Sequence, residues 1–377
     1  MPTHQKPSFF STGRRDFLKK SSLGLGAALM GPSLMAMDEP LHPALPDDEK
    51  LGVALVGLGY YATHKLATAL AETRYCKLVG LVTGSPEKVP DFKEKYGIKD
   101  KDVYNYQNFD KIKDNPDIDI VYVVLPNAMH AEYSVRAAEA GKHVICEKPM
   151  EVSVAKAQQM VDACKKAGKL LQIGYRCQYD PYHRELMRIS HEKVYGEVKV
   201  LQTSFSFYGV NGSNWRFTDK SLSGGGPLMD VGVYCIQAAR YTMGQEPIAI
   251  TARSYKTIMD KMPDMEETIA WEMEFPNGAV AHCLSSYVAN DNFVRVTSEN
   301  GTFGLRPAFS YDPVEGFFRG GDMSFPRQNQ QAVQMDAFAR NILDGTPVVA
   351  SGEEGLQDMK MIEAIYKAAK TGKRVKL

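Results

Sequence analysis

A glycine-rich turn directly after an apolar run is the feature that most constrains this chain. The run Val53–Val56 leads into Gly57-Leu58-Gly59-Tyr60-Tyr61-Ala62, and a helix-like sequence follows. Gly57 permits a tight turn, Gly59 lets the backbone approach a pyrophosphate, and the small Ala62 lets the helix pack closely on its strand. Glycines also mark ordinary turns, so the evidence lies in the position between a strand and a helix. The pattern predicts a dinucleotide-binding unit.

Strand-like and helix-like segments alternate from this turn to Gly174. Such alternation is typical of a parallel, doubly wound sheet, and it predicts an α/β dinucleotide-binding domain over residues 51–174. The predicted strands are Leu51–Val56, Leu78–Val82, Ile120–Leu125, His143–Cys146 and Leu170–Ile173, and helices are predicted at Ala131–Ala140 and Val154–Ala167.

The remaining residues, 175–377, have a different pattern. Longer alternating strands with glycine and asparagine turns predict an α+β substrate domain built on an open, mainly antiparallel sheet. An open sheet with one uncovered face favours a homodimer or homotetramer formed through that sheet. The predicted strands are Glu197–Phe207, Ile248–Tyr255, Thr268–Phe275, Ala279–Tyr287 and Phe293–Ser298, with helices at Tyr182–Glu192, Gln331–Leu343 and Gly355–Thr371.

The N-terminal 37 residues are typical of an export signal and not of a folded element. The pair Arg14-Arg15 precedes a moderately apolar, glycine-rich stretch from Ser21 to Met37. That stretch is too short, and too broken by glycines and Pro32, to span a membrane. It predicts a twin-arginine signal, the twin-arginine export machinery as a partner, and a periplasmic location; a disordered basic tail is the alternative. Residues 38–50, with three prolines, predict an extended arm.

Length, charge and cysteine positions indicate a two-domain protein without a nucleic-acid partner. The chain has 377 residues, 44% of them hydrophobic, and a formal net charge of zero. Its length suits two domains, and its charge indicates no nucleic-acid partner. The six scattered cysteines are typical of buried apolar positions, and no His/Cys/Asp group has the spacing of a metal site.

The end of the second predicted strand bears on the choice of cofactor. An NAD-binding unit usually places an acidic residue there to hold the ribose 2′-hydroxyl. Here Thr83-Gly84-Ser85 supplies two hydroxyls, and Lys88 follows. Hydroxyls and an ammonium group suit the 2′-phosphate of NADP, which favours NADP over NAD. An ordinary turn before a helix-starting Ser-Pro-Glu is the alternative.

Two further segments carry candidate catalytic residues. Lys148 follows the strand His143–Cys146, at the strand end where ligands bind in open α/β sheets. Asp230 and Tyr234 are four residues apart and share one face of a predicted helix. A tyrosine beside a lysine can act as general acid and base at a sugar hydroxyl, and a nearby ammonium would lower the pKa of the phenol. A solvated lysine, a helix-start aspartate and a core tyrosine are the alternatives.

Taken together, these motifs resemble the Gfo/Idh/MocA oxidoreductase family. The resemblance runs from Leu51 to the C-terminus and is closest to the glucose–fructose oxidoreductase branch, which carries tyrosine where most members carry histidine at the position of Tyr234. The matching segments are Gly57–Ala62, Thr83–Lys88, Val103–Phe109, Leu125-Pro126-Asn127 with His130, Gly141–His143, Glu147–Pro149, Ile173–Pro181, Gly224–Tyr234 and Ser351–Gly355.

The resemblance implies an enzyme that transfers hydride between sugars or polyols and a tightly bound NADP. It implies that Lys148, Asp230 and Tyr234 face the sugar, with Tyr234 moving the proton, and that the arm reaches over the adenine end of the NADP in a neighbouring subunit. Segment 208–215 is shorter than the matching loop of that branch, so the sugar pair is left open. An NAD(P)-dependent dehydrogenase, a nicotinamide-assisted glycosidase or epimerase, and a non-catalytic NADP-binding sensor are the rivals. The implied cofactor-binding residues are Gly57, Gly59, Tyr60, Tyr61, Ala62, Thr83, Gly84, Ser85, Lys88, Tyr106, Leu125, Pro126, Asn127, His130, Glu147, Lys148, Arg176, Trp215 and Arg216.

Overall fold

The computed structural model describes residues 43–210, 214–257, 262 and 264–377. The predicted signal at 1–37 and the first part of the predicted arm lie outside these residues. The end of the arm is a turn rather than an extended segment, because the carbonyl of Pro46 accepts hydrogen bonds from the amides of Glu49 and Lys50. This turn lies against its own chain, where the amide of Leu45 donates to the carbonyl of Arg74 at 3.0 Å.

The first sheet is parallel throughout and has the strand order β3-β2-β1-β4-β5-β6. This confirms the predicted doubly wound fold, which opens a crevice where the order reverses between β1 and β4. Every residue of β1 is buried, as expected for a central strand in a sheet covered on both faces. The strands are β1 Leu51–Val56, β2 Cys76–Val82, β3 Val103–Tyr104, β4 Ile120–Val123, β5 His143–Cys146 and β6 Leu171–Ile173.

Four helices connect these strands. The first follows the glycine turn and begins as a π-helical turn. The second helix was expected only as the alternative interpretation of Ser85-Pro86-Glu87, and β3 was not predicted. The helix is mostly polar and β3 has two residues, so both lack a clear apolar period. The helices are α1 (Ala62–Leu66, continued by Ala67–Leu70), α2 Val89–Tyr96, α3 His130–Glu139 and α4 Val154–Ala167.

Within the described residues, the second sheet has nine strands in the order β14-β13-β12-β11-β7-β10-β9-β8-β15. Its neighbours pair antiparallel, as predicted, except for β7 and β10, which run parallel. Burial alternates along β9, so one face of the sheet is packed and the other is more open. The strands are β7 Val198–Ser206, β8 Ala249–Tyr255, β9 Thr268–Glu274, β10 Val280–Ser286, β11 Asp291–Ser298, β12 Gly301–Leu305, β13 Gly316–Phe318, β14 Gly321–Met323 and β15 Val375–Lys376.

The helices of the second half do not all serve the second sheet. Met335, Phe338 and Ile342 of α7 pack in one apolar cluster with Val53 and Leu55 of β1. The segment 175–377 therefore returns a helix to the core of the first sheet, which a division by sequence pattern did not foresee. The longer helices are α5 Pro181–His191, α6 Val233–Met243, preceded by a π-helical turn at Leu228–Gly232, α7 Gln330–Asp344 and α8 Gly352–Thr371, and two four-residue helices lie at Trp215–Thr218 and Lys220–Ser223.

Membrane-spanning helices and clustered metal ligands are both absent from the part of the chain that the structure describes. None of its helices is long and apolar enough to cross a membrane. Within the same residues no group of three or more His, Cys, Asp or Glu side chains is arranged to hold a metal ion. All six cysteines are buried and unpaired, as their scattered positions predicted.

Candidate active site

A cavity of about 1040 Å³ lies at the carboxyl ends of the parallel strands and extends to residues of the second sheet. The structure brings all the predicted site residues to this cavity except Ala62 and His130. Those that line it are Gly57, Gly59, Tyr60, Tyr61, Thr83, Gly84, Ser85, Lys88, Tyr106, Leu125, Pro126, Asn127, Glu147, Lys148, Arg176, Trp215, Arg216, Asp230 and Tyr234.

The glycine turn has the geometry that close approach of a ligand requires. Gly57 has a φ of 92°, and a Cβ added there would lie 2.4 Å from the carbonyl oxygen of Val124. A Cβ added at Gly59 would meet nothing within 4 Å, so this backbone faces open space in the cavity. Ala62 is fully buried at the start of α1, where its small size serves helix packing and not the ligand. The turn therefore fits a bound pyrophosphate.

The end of β2 presents hydroxyl and ammonium groups to the cavity. The Thr83 hydroxyl accepts a hydrogen bond from the Ser85 amide at 2.9 Å, and the Lys88 ammonium donates to the Leu58 carbonyl at 2.8 Å. Among the described residues that line the cavity, the carboxylates are Glu147 and Asp230, and neither comes from this strand. An ammonium has three donors, so Lys88 can bind the turn and a phosphate together.

His130 holds two loops together and does not reach the cavity. Its ring nitrogens lie 2.9 Å from the carbonyl oxygens of Leu125 and Pro149. Burial lowers the pKa of His130 to about 4, so at physiological pH the ring is neutral and its single N–H donates to one of the two carbonyls. Asn127 makes a similar connection, since its side-chain amide donates to the Ser223 carbonyl at 2.8 Å. The predicted cofactor contact of His130 is thus replaced by a structural one.

Lys148 and Asp230 meet in the lining of the cavity. The Lys148 ammonium lies 2.7 Å from the Asp230 carbonyl oxygen and 3.4 Å from its Oδ1. The Arg216 guanidinium donates to the same Oδ1 at 2.8 Å. Burial raises the pKa of Asp230, but the nearby Arg216 and Lys148 outweigh it and hold this pKa below its usual value. Asp230 is therefore an ionised anchor for Lys148 and not a proton donor.

Tyr287, at the end of β10, is a site residue that the sequence analysis missed. Its hydroxyl donates to Asp230 Oδ2 at 3.1 Å, and the residue is fully buried. Both oxygens of Asp230 are therefore held. Tyr287 follows an ordinary alternating strand, so no local sequence signal distinguishes it from a core tyrosine.

Tyr234 lies between two cationic groups. Arg176 Nε–H donates to the Tyr234 hydroxyl at 3.2 Å, and the Lys148 ammonium lies 5.0 Å from the centre of the ring. Burial nevertheless raises the pKa of Tyr234 to about 12, with Arg176 only partly opposing it. The expectation that a nearby ammonium would lower this pKa is wrong, because the loss of hydration is the larger effect. At neutral pH Tyr234 is a protonated phenol.

Arg176 is held so firmly that it can serve as a fixed donor. Its two terminal nitrogens donate to the Phe309 carbonyl at 2.6 Å, to the Ser310 carbonyl at 3.2 Å and to the side-chain oxygen of Gln330. The guanidinium also lies 4.4 Å from the ring centre of Tyr311, which lines the cavity. Tyr311 comes from an irregular segment without a recognisable motif and was not predicted.

Glu147 is a buried residue of the cavity wall. Its Oε1 accepts from the Tyr122 hydroxyl at 2.7 Å, and its Oε2 accepts from the Lys148 amide at 3.2 Å. A Cβ added at Gly174 would lie 2.6 Å from Oε1, so this glycine leaves room for the carboxylate. Burial raises the pKa of Glu147. These contacts fix the backbone that carries Lys148.

Comparisons with known proteins agree with this geometry. Residues 51–175 match the family model described as "Oxidoreductase family, NAD-binding Rossmann fold", and residues 183–304 match the "GFO/IDH/MocA C-terminal domain". The structure is similar to that of the aldose–aldose oxidoreductase from Caulobacter crescentus, determined with glycerol, with a TM-score of 0.85 and 41% identity over 87% of this chain and 100% of that one.

Two curated relatives are more distant in sequence. The D-xylose 1-dehydrogenase [NADP(+)] of Haloarcula marismortui is 29% identical, and the match covers 88% of this chain and 94% of the relative. The D-glucoside 3-dehydrogenase of Escherichia coli is 27% identical, over 87% and 97% of the two chains. With both family domains matched in order around the cavity, the chain belongs to the Gfo/Idh/MocA family of oxidoreductases.

Proposed function

We propose that this protein transfers hydride between a sugar carbon bearing a hydroxyl and a retained NADP, in the manner of glucose–fructose oxidoreductase. One observation supports the proposal: Lys148, Asp230 and Tyr234 meet in the same cavity that the glycine turn lines. The names of the aldose–aldose oxidoreductase and the xylose dehydrogenase support a sugar substrate.

Tyr234 is the proton-transfer group in this proposal. Because its oxygen accepts from Arg176, its own proton is free to go to a carbonyl oxygen of a sugar. In the opposite half-reaction the sugar O–H proton goes to the phenolate form, whose charge Arg176 and Lys148 would stabilise. A bound nicotinamide would supply the hydride chemistry, as acceptor of the C–H hydrogen with its electron pair in one half-reaction and as donor in the other.

Lys148 is the electrophilic group. An ammonium beside the reacting oxygen stabilises the negative charge that develops on it. Asp230 keeps this ammonium in place, and Tyr287 and Arg216 in turn keep Asp230 in place. Loss of any one of these contacts would let Lys148 drift, and small displacements of a catalytic group are costly.

The choice of NADP over NAD rests on the end of β2. Thr83, Ser85 and Lys88 offer hydroxyl and ammonium donors where an NAD-binding unit usually has a carboxylate.

We propose that the protein binds NADP in the cytoplasm and is then exported, folded and with NADP bound, through the twin-arginine route to the periplasm. Because the periplasm would provide no fresh NADP, one aldose would reduce the cofactor and become a lactone. A second carbonyl sugar would then reoxidise the cofactor and become a polyol.

The oligomer is part of the same proposal. The more open face of the second sheet carries Arg253, Tyr255, Glu272 and His282 around a depression of about 470 Å³. We propose that a second copy of the chain covers this face in a homodimer or homotetramer, which size-exclusion chromatography with light scattering would test.

The test of the function is spectroscopic. Protein purified without added nucleotide should contain NADP close to one per chain. Addition of one sugar should produce the absorbance and fluorescence of reduced nicotinamide, and a second sugar should remove them. Protein that is isolated empty and works only with excess added NADP refutes retention. Protein that reduces no bound or added nicotinamide with any sugar refutes the oxidoreductase function itself.

A second candidate is an NAD(P)-dependent dehydrogenase acting on glycosides with a freely exchanging cofactor. The D-glucoside 3-dehydrogenase relative favours it. Product analysis separates the two: oxidation of a free aldose gives a lactone, whereas oxidation of a methyl glycoside leaves the glycosidic bond intact and gives a keto-glycoside. Release of the free aglycone would instead indicate nicotinamide-assisted glycosidase chemistry.

A further inference from the structure

The run Gly224-Gly225-Gly226 leads into the π-helical turn Leu228–Gly232, which carries Asp230, and then into α6, which carries Tyr234. The position of this turn therefore sets the position of both site residues. Its N-cap residue, Pro227, supplies no side-chain hydrogen bond, so the first amides of the turn need an acceptor from elsewhere.

That acceptor is Glu266, which comes from the segment before β9. Glu266 Oε1 accepts from the Gly226 amide at 3.1 Å and from the Leu228 amide at 3.3 Å. The same oxygen accepts from the hydroxyl of Tyr366, on α8, at 2.9 Å. One carboxylate oxygen thus binds two amides at the start of the turn, and a phenol from the C-terminal helix holds that oxygen in place. We call Glu266 and Tyr366 the clamp.

The glycines of the run are explained by the clamp. A Cβ added at Gly225 would lie 2.0 Å from the Tyr366 hydroxyl, and one added at Gly226 would lie 2.1 Å from the carbonyl oxygen of Glu266. Gly224 has a φ of 80° and is required for its backbone conformation. Two of the three glycines therefore make room for the clamp residues, which lie outside the lining of the cavity.

The clamp is connected to Asp230 through the backbone. The carbonyl of Gly226 accepts the Asp230 amide at 3.4 Å, while the amide of Gly226 is bound by Glu266. The Asp230 carbonyl in turn accepts from the Lys148 ammonium. A displacement of Gly226 would therefore move the Asp230 carbonyl, which is the acceptor that orients Lys148. It would also change the orientation of Tyr234, which lies one helical turn after Asp230.

We infer that Glu266, supported by Tyr366, is a positioning residue for the hydride-transfer step. It touches neither the cavity nor the reacting atoms, and it acts by fixing the start of the turn that carries Asp230. This inference rests on the proposed function for its kinetic consequences, whereas its structural consequence can be measured without a sugar.

The experiment compares Glu266→Ala, Glu266→Gln and Tyr366→Phe with a matched control. Glu363→Ala also removes a glutamate of α8 that accepts a helix-start amide, in this case from Val154 at 2.9 Å, and Glu363 lies outside the lining of the cavity. In Glu266→Ala, single-turnover hydride transfer should fall by roughly 10²-fold, the cost of a small misplacement, while bound NADP and the KM for sugar change by less than about threefold.

Three further readouts distinguish positioning from a loss of fold. The amide oxygen of Glu266→Gln also accepts hydrogen bonds, so this variant should recover most of the rate. The isotope effect with sugar deuterated at the reacting carbon should rise in Glu266→Ala. Hydrogen exchange of the amides of residues 226–234 should accelerate in Glu266→Ala and in Tyr366→Phe, and not in Glu363→Ala.

The outcomes separate this inference from the proposed function. If exchange over 226–234 is unchanged in Glu266→Ala, the clamp is refuted, whatever the enzyme does with sugars. If Glu266→Ala transfers hydride at a rate close to that of the wild type, the positioning role is refuted even when the wild type behaves as proposed. Should Glu266→Ala fail to fold, Glu266→Asp, one methylene shorter, takes its place under the same criteria.

Discussion

Replacement of Tyr234 by phenylalanine tests the proton-transfer role most directly. The ring remains in its apolar surroundings, where it contacts Phe205 and Phe309. The hydroxyl is lost, and with it the acceptor of Arg176 Nε–H. A positioned acid or base contributes roughly 10²–10⁴-fold, so hydride transfer should fall by that factor, which corresponds to about 3–5 kcal/mol in the activation barrier.

The same variant should lose a smaller amount of stability. Arg176 keeps its contacts with Phe309, Ser310 and Gln330 but has one buried donor without an acceptor. An orphaned buried donor costs about 1–3 kcal/mol in the free energy of unfolding. This loss leaves the protein folded, so the rate can be measured on variant protein with NADP bound.

The assay is single-turnover reduction of bound NADP, followed by absorbance after mixing with sugar. Tyr179→Phe is the matched control, because the Tyr179 hydroxyl is also buried and hydrogen-bonded, to Gln172 Oε1 at 2.8 Å, but lies outside the cavity. The control should lose stability and keep its rate. A Tyr234→Phe rate within a few-fold of the wild type would refute the reasoning and move the proton-transfer role to another group.

Three further predictions follow from the same geometry. Burial raises the pKa of Tyr234 to about 12. The rate of the sugar-oxidising half-reaction should therefore rise roughly tenfold per pH unit below about pH 10, while the rate of the reducing half-reaction stays constant over that range. The opposite pattern in single-turnover pH profiles would contradict a Tyr234 that is protonated at neutral pH. Lys88→Ala should weaken the binding of NADP by about 1.5–3 kcal/mol and the binding of NAD far less, since only NADP has the 2′-phosphate. Equal losses of affinity for the two cofactors in a binding titration would show that Lys88 does not bind the 2′-phosphate. Asp230→Asn should destabilise the protein by about 1–3 kcal/mol at neutral pH, because it removes a carboxylate that accepts hydrogen bonds from Arg216 and Lys148 in a partly buried position. Since Arg216 and Lys148 hold the Asp230 pKa below its usual value, that contribution is present above the usual range of an aspartate and is lost as the pH falls through the lowered pKa; thermal melts should therefore show the gap to the wild type closing in acid, and a gap that stays constant would count against the ion pair.

Much of the first sheet was predictable from the sequence because its signals are local. The bounds of β1 and β5 agree with the apolar runs Leu51–Val56 and His143–Cys146, since a buried parallel strand is apolar at most of its positions. The glycine turn was predictable for the same reason: a positive φ and a close backbone approach each demand glycine at a particular position. The candidate cavity residues followed from these local motifs and from the family resemblance.

What the tertiary structure alone decided depends on residues far apart in the chain. Tyr287 binds Asp230 across 57 positions and Glu266 binds Gly226 across 40, and no local pattern marks either contact. The return of α7 to the first sheet is equally invisible, because an amphipathic helix does not indicate which core it covers. The pKa of Tyr234 is decided in the same way. The sequence motifs predicted a cationic residue beside this tyrosine, which would lower its pKa. Only the packed structure determines how much hydration the phenol loses, and that loss raises the pKa more than the nearby charges lower it.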